Sequence, residues 1–182
     1  RKVENYVDMA LYYARMDAVY KDYMIAESNL QEVAQQVLLQ NKYYLIQSHV
    51  KAEVACPDTV YSDKKWIAFI LNQLIQNSVK YGRSEGTHIQ IVTKKTKSGV
   101  LLWVKDDGIG IPKEELPRIF EKGFTGTNGR NRERSTGMGL YLCRKLCDKL
   151  NIEIRAESAE GKGTEIILMF PVSEYLTGYR ET

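Results

Sequence analysis

Between Asp63 and Tyr81 the apolar residues Trp66, Ile67, Ile70, Leu71, Leu74 and Ile75 recur at spacings of three and four. That period predicts a helix over about 63–81, opened by Ser62 or Asp63, with Ser78 on the same inner side. Two runs suited to strands follow at once, about 87–96 and 99–106, joined as a hairpin at Lys97-Ser98-Gly99. A helix so apolar along one side must lie on another layer, and the hairpin supplies one.

The flanks extend this pattern. Val3, Val7, Ala10, Leu11, Ala14 and Ala18 form an apolar stripe that predicts a helix over residues 1–26, the cut end of a coiled coil or bundle. The break falls at Glu27-Ser28-Asn29, where Asn29 with Glu32 resembles a capping box that opens a helix over about 30–41. Residues 43–55 alternate in part and suit a strand, and Pro57-Asp58 marks a turn. A short helix is expected near 113–118, a mobile polar loop over 125–136, a helix over 137–150, and strands at 151–157 and 163–171. The order of elements implies a two-layer α/β sandwich: a mixed, mostly antiparallel sheet covered by helices on one face, preceded by an N-terminal helix.

The 182 residues leave room for one ordinary domain and an appendage. A net charge of +3 does not argue for nucleic acid, and no apolar run is long enough to span a membrane. Cys56, Cys143 and Cys147 lack metal-site spacing and read as reduced core residues.

Three features carry chemistry. Gln73, Asn77, Lys80 and Tyr81 share one polar face of the 63–81 helix. An Asn carbonyl suits Mg²⁺, a Lys one turn on suits phosphate, and a Tyr ring can stack on a base, although a solvated helix face has the same composition. Next, the strand ending at Asp106 runs into Asp107-Gly108-Ile109-Gly110-Ile111-Pro112. A carboxylate there can accept from an exocyclic amine, and the two glycines allow a tight turn or close approach; an acidic turn or calcium loop is the alternative. Third, Ser135-Thr136-Gly137-Met138-Gly139-Leu140 leads into a helix whose freed N–H groups favour phosphate, or is simply a flexible linker.

Taken together and in this order, the three resemble the ATPase domain shared by histidine kinases, gyrase, Hsp90 and MutL, the Bergerat ATPase fold. Tyr81 directly after Lys80, and Ile119–Phe124 (IFEKGF), resemble the histidine kinase branch. The resemblance implies that Asn77 ligates magnesium, that Lys80 lies along phosphate and Tyr81 along adenine, and that Asp106 receives the adenine amino group. Gly108 and Gly110 match the turn beneath the nucleotide, and Phe120 and Phe124 the aromatic anchor of a lid. Gly137, Met138, Gly139 and Leu140 match the phosphate-side helix start, and Thr164 a residue that helps hold the adenine-binding Asp and its water. Where the family often has a second Asn, this chain has Gln73, a candidate second metal residue. Its lid would carry Arg130, Arg132 and Arg134, and Ser135 replaces the usual first Gly.

The implied cofactors are ATP and Mg²⁺. By the same resemblance, residues 1–27 are the end of a second dimerisation helix, 28–173 the ATP-binding catalytic domain and 174–182 a tail. The stretch ENYVDMALYYARMD is similar to intramembrane-sensing kinases of bacitracin and antimicrobial-peptide responses. The expected partners are phosphoacceptor helices of the same kinase, a response regulator and a membrane transporter, with the fragment a soluble cytoplasmic part of a membrane-anchored sensor. His49 and His88, expected in strands, lack the surroundings of a phosphoacceptor, so the fragment should bind ATP without phosphorylating itself. A gyrase- or MutL-type ATPase clamp, a degenerate interaction scaffold and a serine kinase of the anti-sigma type are the competing readings.

Overall fold

The computed structural model describes Ala10, residues 23–130 and residues 136–172. In chain order these form β1 (Ala26–Asn29), α1 (Leu30–Gln40), α2 (Lys42–Gln47), β2 (Val50–Ala55), β3 (Thr59–Ser62), α3 (Lys64–Lys80), β4 (Thr87–Thr96) and β5 (Gly99–Asp106). A 3-10 turn at Leu116–Arg118 precedes α4 (Gly126–Arg130), α5 (Gly139–Lys149), β6 (Glu153–Ala159) and β7 (Gly163–Pro171). Five strands make one sheet in the order β2-β4-β5-β7-β6, parallel only between β2 and β4; β1 and β3 form a separate antiparallel pair.

Helix α3 is the centre of the helical layer. Ile67, Ile70, Leu71, Leu74 and Ile75 are fully buried, with α1 packed on one side and α5 on the other. Asp63 caps it: Oδ1 accepts from the Lys65 and Trp66 N–H groups at 3.0 and 3.3 Å, and Oδ2 accepts from Met24 N–H at 2.8 Å. A cap of this kind contributes about 1 kcal/mol. Asn29 caps α1 through the Glu32 N–H at 3.1 Å, the first half of the expected capping box. The sandwich and the mostly antiparallel sheet are as the sequence implies.

Several local expectations are corrected. Residues 43–47 are helical, in α2, and only Val50–Ala55 is a strand. In α2 only Leu45 is buried, so no helical period exists to be read, and the tyrosines and Ile46 mimic a strand composition. His49 lies in the connecting turn at φ 54°, not in a strand; His88 is in β4 as expected. The supposed break at 27–29 is strand β1, and β3 was not foreseen. Residues 23–25 are not helical, so the N-terminal helix does not run to residue 26; the rest of that expectation, apart from helical Ala10, lies outside the described residues. The expected loop at 125–136 contains α4. All three cysteines are free and buried, and burial pushes the Cys56 and Cys147 thiols up to about 11 and about 12, so they stay protonated.

Candidate functional site

The end of β5 delivers Asp106 beneath the C-terminal half of α3. Asp106 Oδ1 accepts from the N–H groups of Gly108 (3.0 Å) and Thr164 (3.3 Å), and Oδ2 accepts from the Ser78 hydroxyl at 2.8 Å. Burial pushes this carboxyl above the usual range, and the charge of Asp107 adds to the shift. The three hydrogen bonds pull the other way. A carboxylate fixed from three sides, with further lone pairs on Oδ2, is an acceptor already oriented for a ligand.

The glycine loop after Asp106 is gripped from both sides. Ile109 N–H donates to the Tyr81 carbonyl at 3.0 Å, and Gly161 N–H donates to the Ile109 carbonyl at 2.7 Å. A Cβ on Gly108 would stand 2.5 Å from the Tyr81 carbonyl oxygen, and one on Gly110, at φ 71°, would overlap the Ala159 carbonyl. These positions need glycine because backbone from α3 and from the β6–β7 hairpin closes on them.

Above this loop opens a cleft enclosing about 730 Å³, open solvent included. Of the expected residues it is lined by Asn77, Tyr81, Asp106, Gly110, Phe124, Leu140 and Thr164, together with Leu74, Ser78, Ile111, Pro112, Glu115, Ile119 and Ile166. Apolar walls with a few convergent polar groups suit a flat heteroaromatic ligand. Lys80, Gly108, Phe120, Gly137, Met138, Gly139 and Gln73 lie outside the lining. The Lys80 ammonium sits 5.3 Å from the centre of the Tyr81 ring. Phe120 packs on the core, with the Arg144 guanidinium 5.9 Å from its ring centre, and Phe124 lies under the Arg118 guanidinium at 4.5 Å.

On the far side, Gly123 N–H donates to the Gly137 carbonyl at 2.9 Å, so the segment between them begins and ends at one point. Helix α5 starts at Gly139, and Met138 before it offers no side-chain cap; Thr136 Oγ1 accepts from Met138 N–H at 3.1 Å. The N–H groups of the following turn are therefore open to an anion. Gln73 reaches this place, since a Cβ on Gly139 would be 2.9 Å from its Oε1. Among the described residues no cluster of three His, Cys, Asp or Glu could cage a metal. Arg132, Arg134 and Ser135 lie outside the described residues, as does the Arg130 side chain.

Ser78, Glu115 and Ser158 went unread in the sequence as site residues. For Ser78 a signal existed: a lone hydroxyl on an otherwise apolar helix side needs a buried partner, and that partner is Asp106.

The sequence model of the family described as histidine kinase-, DNA gyrase B- and HSP90-like ATPase matches residues 62–174. The chain belongs to this family. Among curated relatives, sensor histidine kinase YxdK of Bacillus subtilis (strain 168) is 34% identical over 93% of this chain and 53% of the relative. Sensor protein kinase GraS of Staphylococcus aureus (strain JH1) is 36% identical over 94% of this chain and 49% of the relative. The chain thus spans about half the length of these kinases. The nucleotide-free catalytic domain of histidine kinase ThkA superposes with a TM-score of 0.70 at 25% identity, over 81% of this chain and 95% of that one. Full-length ShkA with AMPPNP superposes at a TM-score of 0.76 and 22% identity, over 91% of this chain and 35% of that one, a likeness of fold. Within this ATPase family the described domain is of the histidine kinase catalytic type, an ATP-binding domain. No helix among the described residues is long and apolar enough to cross a membrane.

Proposed function

We propose that this ATPase-family domain is the catalytic part of a sensor histidine kinase and passes the γ-phosphate of ATP to a histidine outside this chain. The observation that carries the reading is Asp106: half-buried, held by three hydrogen bonds, and acceptor-only at the base of an apolar cleft. The adenine amino group supplies the donors this carboxylate lacks, with the ring against Ile111 and Ile166. Phosphates extend toward the start of α5. Asn77 offers a neutral oxygen to Mg²⁺, which takes its remaining ligands from phosphate and water. Gln73 stands beside the phosphate end as a second candidate. In the transfer an imidazole nitrogen bonds the γ-phosphorus as the bond to the β–γ bridging oxygen breaks, and ADP leaves. The residues before Tyr23 belong in this reading to the dimerisation part of the kinase. A response regulator would take the phosphate onward, as ThkA is found in complex with its regulator TrrA. The likeness to GraS and YxdK supports a membrane-anchored parent, with a transporter as a possible companion.

Calorimetric titration of ADP and ATP, with and without Mg²⁺, tests this. Adenine-selective binding is expected; a folded protein that binds neither nucleotide would sink it.

Two further outcomes follow. His49 sits in a turn, and His88 Nε2 faces the Glu53 carboxylate at 3.4 Å on the sheet, away from the cleft lining. Incubation with γ-labelled ATP should leave both unlabelled; stable label on either refutes the assignment of the acceptor elsewhere. Slow ATP hydrolysis is also expected, because Gln73 cannot accept a proton where the gyrase branch carries a Glu. Gln73→Glu should raise basal hydrolysis by about 100-fold, the lower end of what a positioned general base contributes. A rate that stays at background would show that water placement, not the base, limits hydrolysis.

A further inference from the structure

The register of three strands sets Ser158, Thr164 and Asp106 abreast: Ser158 pairs with Thr164 across β6–β7, and Thr164 with Asp106 across β7–β5. Ser158 does not line the cleft, yet its hydroxyl is the most heavily committed in the region. Ser158 Oγ donates to the Gly163 carbonyl at 2.7 Å and accepts from Ile111 N–H at 2.9 Å. Its third contact is Thr164 Oγ1 at 3.0 Å.

A hydroxyl has one proton and two lone pairs. The Ser158 proton is spent on Gly163, so the proton between Ser158 and Thr164 must come from Thr164. Thr164 therefore turns its proton away from the cleft it lines and shows the cleft only lone pairs. Ser78 is set likewise, with its proton on Asp106 Oδ2. The hydroxyl protons of Ser78 and Thr164 are thus both directed at protein.

We infer that Ser158 is a specificity-determining positioning residue: by accepting the Thr164 proton it makes the base end of the cleft acceptor-only, admitting a 6-amino purine and disfavouring a 6-oxo purine. This rests on the adenine-nucleotide reading above. Adenine brings two N–H bonds at position 6, whereas hypoxanthine sets a carbonyl oxygen there against the Asp106 carboxylate; its N1–H donor, where adenine has an acceptor, offsets part of that repulsion, so the discrimination lies at position 6. Leaving a polar atom unpaired at a desolvated site is how binding sites reject close analogues. Without the Ser158 acceptor, the Thr164 hydroxyl is free to rotate and donate into the cleft.

The test is calorimetric titration of ADP and IDP into the protein and into Ser158→Ala, Ser158→Thr and Thr164→Val, with thermal melts to confirm folding. The preference for ADP over IDP should narrow roughly tenfold in Ser158→Ala, partly through tighter IDP binding, since a neutral hydrogen bond gained or lost has about that worth. Ser158→Thr should restore the preference, and Thr164→Val should weaken ADP without strengthening IDP. Should Ser158→Ala melt too early to titrate, Ser158→Cys, of similar shape and weak as an acceptor, is read in the same way. An unchanged ADP/IDP ratio in a folded Ser158→Ala protein overturns the inference. Failure of the wild-type protein to bind either nucleotide overturns the underlying reading instead.

Discussion

Asp106→Asn is expected to abolish measurable adenine-nucleotide binding while leaving the fold intact. The amide oxygen must take the Oδ1 position, where two backbone N–H groups point at it. The amide NH2 then replaces Oδ2, and the Ser78 hydroxyl can reverse to accept from it. The internal bonds survive, and the burial cost of a charge disappears. The ligand, however, now meets an N–H where it met a carboxylate oxygen. Loss of a charge-assisted bond accounts for about 1.5–3 kcal/mol, and donor–donor opposition adds to it. ADP titration and a thermal melt decide the matter: wild-type affinity in a folded variant would remove Asp106 from the site.

Protonation of Asp106 should imitate this variant. Because burial raises its native-state carboxyl above the ordinary value of 3.8, affinity should begin to fall on acidification at a higher pH than an ordinary aspartate would give. The linkage to stability runs the other way. The native state holds this proton more tightly than the unfolded chain, so this group's contribution to stability falls as pH rises from the unfolded to the native pKa. Binding measured across pH beside denaturant unfolding separates the two trends; affinity flat down to the ordinary aspartate range would contradict the raised value.

Gly110→Ala should be far more damaging than Gly161→Ala, although each adds a single methyl. Both glycines have positive φ, 71° and 77°, so each substitution costs about 1–2 kcal/mol in backbone strain. At Gly161 nothing lies within 4 Å of the added carbon, whereas at Gly110 it overlaps the Ala159 carbonyl. That carbonyl cannot retreat cheaply, because the hairpin and loop are tied by Gly161 N–H to Ile109 O and by Ile111 N–H to Ser158 Oγ. We expect a loss of about 2–5 kcal/mol for Gly110→Ala, the range of overpacking added to strain, together with loss of nucleotide binding. Equal denaturation midpoints for the two variants would show that the loop is not gripped as described.

What the sequence made legible follows from how much each element buries. The stripe of α3 has nine buried residues over 17, so its period survives any local noise, and the hairpin after it is as expected. Asp106 and its glycines could be read because backbone turns of that kind admit few residue types. The two four-residue strands β1 and β3 bury too little for a pattern, and part of their burial is polar, at Ser28 and Ser62. Ser158 could not be found in one dimension, since nothing in an alternating strand distinguishes a hydroxyl that faces solvent from one that holds three partners. Of the residues assigned by resemblance, Asn77, Tyr81 and Asp106 meet at the cleft, whereas Gln73 and Lys80 do not line it. The arginines at 130, 132 and 134 depend on side chains outside those described.

The bridge from Gly123 N–H to the Gly137 carbonyl has a consequence for how such a domain can diverge. Its two glycines meet N–H to carbonyl oxygen at 2.9 Å, which closes the segment between them into a loop. Closing a longer flexible insert costs only about 0.6 kcal/mol per doubling of its length. Residues can therefore be added or deleted beyond this clasp without reopening the core beneath it. Length becomes a quantity that descent can vary at the α5 end of the cleft while the Asp106 end, built into three strands, stays fixed.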